Sequence, residues 1–392
     1  MPTFLIGTEA GEGMGHVAKW LDVCAQATQE GHTVHMAGPD VRVLYQCISS
    51  RSLPVTVWAG PCVQPLPDHP PPRSWPALLV SLGYAQAPWL TGAALAWAAI
   101  LDSVQPDAVL CDYAPALMLA CQALGVRYLE AGGGFCVPPI SKEGSMPPFP
   151  GVQHAQQDTT NGSLNSLSEA LRIASRVLKS DQSRAAATAW CDLHIHAAHR
   201  LVSSPSWLDH YELRDPQVAP VEYLGFMGLR RESSDMLGVD PGCSPTHIVG
   251  YLKATTPHLS QLLTQLAKLG LPAKVYCPGR PVVPPPGFEL SEAPLDLQKL
   301  LNPATLFVTN GGLTSVGLAL QRRSRILLAP QQPEQVAMAL RLHKLGLGTV
   351  ALPERGVTAT EQLLRPQPDR QTSPLQSAGA ESRVLRCLHG DV

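Results

Sequence analysis

Charge is scarce in this sequence. Asp, Glu, Lys and Arg make up 15% of the chain, against about a quarter in an ordinary soluble domain. The signs nearly cancel, since 29 basic and 31 acidic residues leave a formal net charge of -2. A dedicated nucleic-acid binder would show a basic footprint, and none is present. With 45% hydrophobic residues, the chain also lacks the low hydrophobicity and high net charge that keep chains disordered. Paired thiols are missing as well. Ten cysteines are scattered over the sequence and no two stand in a C-x-x-C pair, so a zinc ribbon, a zinc finger and a thioredoxin-type motif lose their support. Scattered thiols are easily kept reduced, which makes the cytoplasm the expected compartment. The opening MPTFLIGTEAGEGMG has no basic segment and too short an apolar run for a secretory signal. No stretch of about 20 residues is apolar without interruption. The nearest, Ala77 to Leu101, contains Gly83, Pro88 and Gly92, and predicts a helical pair or buried loop rather than a membrane span.

What is present is alternation. The length of 392 residues suits two domains, each large enough to bury a core. Thr3–Gly7 reads as a strand, Gly15–Gln29 as one helix ended by Gly31, and Thr33–Ala37 as a second strand. Ala108–Cys111, a helix at Pro115–Leu124 and Val126–Glu130 continue the pattern. A second block starts near Thr246. Strands at His247–Leu252, Ala273–Cys277, Leu306–Thr309, Arg325–Ala329 and Gly348–Leu352 enclose helices at Pro257–Leu269, Thr314–Gln321 and Pro333–Lys344. Buried strands alternating with helices predict parallel sheets built from βαβ units. Segments 61–76 and 137–150 are rich in proline, and 152–165 is polar and expected to be a mobile loop. Ser166 with Glu169 has capping-box spacing for a helix at Ser166–Lys179, and another helix is expected at Ala185–His196. The expected division is an N-terminal domain at 1–225, a linker at 226–245, a C-terminal domain at 246–365 and a tail at 366–392.

Ligands of open α/β sheets bind at the carboxyl ends of the strands, so the loops that follow strands carry the candidate chemistry. The first is Gly11-Glu12-Gly13-Met14-Gly15-His16. It invites a dinucleotide reading, but a G-x-G-x-x-G fingerprint would need its third glycine one residue later. His16 at the mouth of a helix is either a general base or a bland capping or exposed histidine. Asp112, ending a strand, is either the carboxylate that orients such a base or an N-cap for the helix at Pro115, and the two roles are compatible. Thr309-Asn310-Gly311-Gly312-Leu313-Thr314-Ser315 is either a diphosphate cradle or an ordinary glycine-rich turn. Glu334 and Gln335 suit vicinal sugar hydroxyls, or else serve the start of a helix. His194, His196 and His199 do not share one helix face, so zinc is not expected there.

Taken together, Gly11-x-Gly13-x-Gly15-His16, Pro106–Tyr113 and the block from Val308 through Gln335 to Gly348 resemble the nucleotide-sugar glycosyltransferases of the GT-B fold. The bacterial macrolide and flavonoid group, related to plant and animal UDP-glycosyltransferases, is the most similar. Gly132-Gly133-Gly134-Phe135 followed by Pro138 and Pro139 adds looser similarity. The resemblance implies two Rossmann-like, doubly wound parallel-sheet domains facing across a cleft. It implies hexosyl transfer from a UDP- or dTDP-sugar to a hydroxyl of a small apolar acceptor, with inversion. His16 would be the base and Asp112 its orienting carboxylate, with Gly13 and Gly15 in the loop that lines the cleft. Asn310, Gly311, Gly312, Thr314 and Ser315 would hold the diphosphate, Glu334 and Gln335 the sugar, and Lys253 and Thr255 would lie near the phosphates. Trp75, Trp89 and Phe135 are candidate acceptor walls; Trp97 is another, and core packing is the competing role for the tryptophans. No cofactor or metal is expected beyond the nucleotide-sugar co-substrate, in keeping with the lack of an Asp-x-Asp motif. Small molecules are the expected partners, without nucleic acid.

Two positions depart from the resemblance. Asn310 stands where the family commonly has histidine, and Leu318 where it often has a glutamate for the donor ribose. Asparagine can donate to a phosphate oxygen but carries no charge. Arg322, Arg323 and Arg325 either restore charge nearby or form a solvated basic turn. The departures leave two competitors: a degenerate, non-catalytic partner subunit, and a nucleotide-sugar epimerase, which would need further acid/base carboxylates.

Overall fold

The computed structural model describes residues 1–391 except 12–13, 64, 68, 152–156, 179–188, 213, 230–242, 280–281 and 352–378, and only the backbone of 157–163. The chain divides into two units, Met1–Gly228 with Gln376–Val392, and Leu229–Leu375.

The first unit is wound on a parallel sheet. Its strands are β1 (Thr3–Thr8), β2 (Thr33–Gly38), β3 (Val55–Ala59), β4 (Ala108–Asp112), β5 (Tyr128–Gly132), β6 (Arg200–Val202) and β7 (Glu222–Tyr223). Their spatial order is β3-β2-β1-β4-β5-β6-β7. Strands β4 and β5 are buried along their whole length, as expected of strands covered on both faces. Helices α1 (Gly15–Ala18), α2 (Leu21–Gln29), α3 (Val41–Ser49), α4 (Trp75–Ser81), α5 (Ala87–Val104), α6 (Pro115–Leu124), α7 (Gln157–Leu178) and α8 (Trp190–Ile195) complete its first part. Gly31 ends α2 at φ +88°, a left-handed turn that glycine adopts freely. Helix α5 is the one described helix long and apolar enough to cross a membrane by length and composition. It packs with α6 and α7, and its Leu90, Ala94, Trp97 and Leu101 are buried. Leu90 and Leu101 each contribute about 1.5–3 kcal/mol by leaving water.

The second unit repeats the winding. Its strands are β8 (His247–Tyr251), β9 (Ala273–Tyr276), β10 (Phe288–Ser291), β11 (Thr305–Thr309), β12 (Arg325–Leu328) and β13 (Thr349–Val350), in the order β10-β9-β8-β11-β12-β13, all parallel. Helices α9 (Leu259–Ala267), α10 (Leu297–Leu300), α11 (Leu313–Gln321) and α12 (Pro333–Lys344) connect them. In both sheets the first strand of the unit lies beside the fourth. Thr8 pairs with Asp112 in one and Tyr251 with Thr309 in the other. The strand order reverses at those two seams, which opens a crevice beyond the carboxyl ends.

Several expectations change. The helix foreseen at Gly15–Gln29 is two helices, α1 and α2, with Lys19 and Trp20 at the break. The polar segment foreseen as a loop at 152–165 is helical from Gln157 onward, so Ser166 lies inside α7 rather than capping it. The physical reason is that Leu167, Ala170, Leu171, Ala174 and Leu178 are buried in a helix packed on α4 and α5. Extending a packed helix over polar residues costs only tenths of a kcal/mol each. Much of the proposed linker, and residues 366–378 of the proposed tail, lie outside the described residues. The rest of the tail forms α13 (Ala380–His389), whose Val384, Leu385 and Cys387 join the core of the first unit. Gln26 Nε2 donates to Ser382 Oγ at 2.9 Å and an Arg127 guanidinium nitrogen to the Cys387 carbonyl at 2.8 Å, which anchors it.

Candidate active site

In the first unit the seam between β1 and β4 holds charge. Asp112, fully buried at the end of β4, accepts three side-chain donors. Lys19 Nζ lies 3.0 Å from Oδ1 and 2.9 Å from Oδ2, Trp20 Nε1 lies 2.9 Å from Oδ2, and His16 Nδ1 lies 3.4 and 3.3 Å from the two oxygens. Burial alone would raise the carboxyl. The Lys19 charge, then His16, outweigh it and hold Asp112 down at about 2. The loop before α1 packs tightly on the imidazole, because a Cβ on Gly11 would stand 2.3 Å from the ring. Gly132, at the end of β5, is similarly confined, with Asp112 Oδ1 3.2 Å from where a Cβ would be. Gly15 has open space around it, and Gly13 lies outside the described residues.

Neither residue is a helix cap. Helix α1 has Met14 at its N-cap without a side-chain bond, so His16 is not a cap. Nor does Asp112 cap α6, whose N-cap is Ala114. That role belongs to Glu9, just past β1, a residue the sequence reading passed over. Glu9 Oε2 accepts from the amides of Ala116 at 3.0 Å and Leu117 at 3.3 Å and from Trp97 Nε1 at 3.2 Å, while Oε1 accepts from the Tyr84 hydroxyl at 2.8 Å. Complete burial pushes this carboxyl up to about 7, against the pull of those four donors. Lys19 and Trp20 were also missed.

Of the candidate acceptor walls, Trp75 and Phe135 come together, but both are buried, as core packing requires. Their rings meet edge to face at 5.8 Å, and Trp75 also stacks on Tyr113 at 5.3 Å. The Tyr113 ring lies 6.2 Å from His16. Trp89 belongs elsewhere, against Tyr84. Trp97 is core, bonded to Glu9. The two proline-rich segments meet at an isolated bridge between Ser74 and Pro148.

The corresponding seam in the second unit is built from neutral groups. Asn310 is buried just past β11, and its Oδ1 accepts from the Lys253 amide at 2.8 Å. Its Nδ2 donates to Thr256 Oγ1 at 3.1 Å and to the Ala329 carbonyl at 2.7 Å. Both amide protons expected for a phosphate are therefore used in tying the ends of three strands together. Gln331, not foreseen, extends this web, donating to Thr256 Oγ1 at 2.7 Å and accepting from Thr255 Oγ1 at 2.9 Å. Gln335 is buried and its Oε1 accepts from the amides of Gln331 at 2.9 Å and Gln332 at 3.3 Å, closing the start of α12. Glu334 beside it is partly exposed, and Lys253 is exposed.

The turn after β11 presents backbone at this seam. Gly311 takes φ +99°, a conformation that only glycine enters without strain, and Gly312 is the N-cap of α11. Ser315 Oγ donates to the Gly312 carbonyl at 2.9 Å, and Thr314 and Ser315 are partly exposed in the first turn. The first amides of a helix have no acceptor within it and carry its positive dipole. Leu318 is buried on α11. Arg322 and Arg325 are buried and only Arg323 is exposed, so the group is not a solvated turn. It sits between the end of α11 and the start of β12, at the amino ends of the strands and so opposite to Gly311 at their carboxyl ends, and adds no charge there.

The cluster His194, His196 and His199 is dispersed by its partners. His194 Nδ1 lies 2.6 Å from the buried Glu130, which also takes Arg200, while Gln122 Nε2 lies 3.0 Å from His196 Nδ1. Among the described residues, one group of three has ligand atoms within 4.8 Å of one another, Glu30, His32 and His389, and it lies past the end of α2, at the amino end of β2 and not at the β1/β4 seam.

No family model matches the chain, and no curated protein does. Solved structures do. The spinosyn rhamnosyltransferase SpnG is 14% identical with a TM-score of 0.60, over 100% of this chain and 96% of its own. The glycosyltransferase of kitacinnamycin is 17% identical with a TM-score of 0.59, over 99% and 95%. SsfS6 from Streptomyces sp. SF2575, complexed with thymidine diphosphate, is 16% identical with a TM-score of 0.57, over 100% and 96%. The two reversed parallel sheets and these likenesses along the whole length agree: the chain has the GT-B fold of these glycosyltransferases.

Proposed function

We propose that the chain is a glycosyltransferase that moves a sugar from a uridine or thymidine diphosphate donor to a hydroxyl of a small apolar acceptor. The observation that carries the reading is the His16–Asp112 contact at the β1/β4 seam, with a glycine-rich helix start at the equivalent seam of the second sheet. With Nδ1–H donated to Asp112, His16 presents Nε2 as the base. That nitrogen takes the acceptor proton as the acceptor oxygen bonds to the anomeric carbon. The bond from that carbon to the diphosphate breaks with inversion, and the nucleoside diphosphate leaves with the electron pair. Amides at the start of α11, with Gly311, Gly312, Thr314 and Ser315, receive the diphosphate. Glu334 holds sugar hydroxyls, and Lys253 adds a cation near the phosphates. The reaction needs no metal in this scheme, and a cytoplasmic setting fits ten cysteines of which none forms a disulfide among the described residues. SpnG has been solved with spinosyn aglycone and with thymidine diphosphate, which supports an apolar acceptor and a thymidine donor as first choices.

The test is His16→Ala assayed with UDP- and dTDP-sugars against an acceptor panel. Turnover should fall by about 10²–10⁴-fold while nucleotide binding persists. Unchanged turnover sinks the assignment. A second reading, a non-catalytic partner subunit, is favoured by one observation, the complete internal use of the Asn310 amide. Calorimetric titration of the folded protein with UDP, dTDP and GDP separates the two, because binding of none favours the partner subunit.

A further inference from the structure

The proposed base does not face a bare carboxylate. Of the two cationic side chains that reach Asp112, Lys19 is the nearer, at 2.9–3.0 Å against 3.3–3.4 Å for His16. The Lys19 side chain is 7% exposed and that of Asp112 0%, so water screens neither. A buried ammonium is retained only with a partner, and this one reaches the carboxylate on which the imidazole also depends.

We infer that Lys19 is a positioning residue of the base: its ammonium is the standing counter-ion of Asp112, so that His16 meets a carboxylate already matched in charge and works as a weaker, more readily regenerated base. The inference rests on His16 being the base. At rest, Lys⁺, Asp⁻ and neutral His sum to zero, and taking the acceptor proton brings the group to +1. A two-member His–Asp pair would pass from -1 to zero. The ammonium therefore opposes the imidazolium that the carboxylate favours, and makes the proton easier to release after transfer. Lys19 and Trp20 also hold the carboxylate in place, each with a bond of about the same length, which keeps His16 shared between both oxygens. The other groups around the imidazole do not substitute for Lys19. The Tyr113 ring faces it from the start of the β4–α6 turn, and Glu9 turns away from the end of β1 into Tyr84, Trp97 and the α6 amides. Glu12 lies outside the described residues.

The experiment titrates the His16 ring by NMR in the wild-type chain, Lys19→Met and Lys19→Arg, alongside the pH profile of kcat/KM. Lys19→Met, by removing the cation that opposes the imidazolium, should move the His16 ring titration to higher pH than in the wild-type chain and carry the acid limb of the profile with it. Lys19→Arg should restore both. If Lys19→Met does not fold, Lys19→Gln keeps a donor for Asp112 without the charge and carries the same expectation. A lysine that only supports the fold would lower stability, or turnover equally at every pH, with the ring pKa and the limb unmoved, and that result overturns the inference. The ring titrates whether or not sugar is transferred. A pKa shift without transfer at any pH therefore removes the base assignment itself, and is distinct from an unmoved ring in an active enzyme.

Discussion

The two seams occupy the same place in the same winding, yet they are made of opposite materials. The β1/β4 seam collects Asp112, Lys19, His16 and, one step away, Glu9, all but His16 removed from solvent. The hydrogen-bonded web of the β8/β11 seam joins Asn310, Thr255, Thr256, Gln331 and Gln335, none of which is charged, and the charged side chains beside it, Lys253 and Glu334, are exposed or partly exposed. Topology fixes where a crevice opens, and side-chain chemistry fixes what the crevice does. A seam that moves a proton needs ionisable groups whose charges are balanced against one another. A seam that receives an anion is served by a rigid neutral frame that leaves helix amides exposed.

Exchanging the materials breaks the contrast. The largest effect is expected from Asp112→Asn, which strips the first seam of its carboxylate and leaves the Lys19 ammonium buried and uncompensated. Removing one member of a buried pair costs about 3–5 kcal/mol, read as a lower urea midpoint, with loss of turnover in whatever protein remains folded. A midpoint unchanged from wild type would show that the pair does not carry the seam. The reciprocal change, Asn310→Asp, puts a charge into the neutral seam. The carboxylate loses the donors that serve Thr256 and faces the Ala329 carbonyl, so we expect a loss of about 3 kcal/mol together with weaker binding of nucleoside diphosphate in calorimetry. Unaltered stability and binding would mean that the web is not the frame of the donor seam.

The smallest effect sharpens the comparison within the first seam itself. Glu9 stands at about 7 when folded, above its usual 4.5, so the folded state binds that proton more tightly than the unfolded one. Its contribution is complete below pH 4.5 and is lost as pH rises through 7. Between pH 5 and pH 8 the loss amounts to about 2.5 kcal/mol. Asp112, held at about 2, has the opposite sign: its contribution is present above its unfolded value of about 3.9 and is lost as pH falls toward 2. Urea midpoints across pH 5–8 should decline for wild type and stay flat for Glu9→Gln. Equal slopes in the two would exclude Glu9 as the source.

The comparison also shows what a linear reading can reach. Pro115–Leu124 and Pro333–Lys344 were legible to the residue because a proline opens each helix and an apolar period runs through it. Edge strands such as β3, β7 and β10 were not foreseen. They are only two to five residues long and partly exposed, so they lack the buried apolar runs that mark the central strands. His16 and Asp112 were legible from glycine spacing and a strand end. Lys19 and Trp20, at the break between α1 and α2, read as ordinary helix residues because nothing in their local sequence shows that a carboxylate some ninety residues away will turn toward them. Glu9 escaped for the same reason, since its partners come from α4–α5 and α6.

By itself, then, the sequence determined the alternation of strands and helices, the two-unit layout and the loops that end at the seams, since these follow from local periodicity and from glycine and proline placement. Only the tertiary structure decided which polar groups are used up. The Asn310 amide looks free to hold a phosphate until β8 and β12 are laid beside β11, and Asp112 looks like a lone partner of His16 until a lysine is buried against it. Hydrogen-bond capacity and charge balance are properties of neighbours in space, and long-range contacts set them only when the sheet closes.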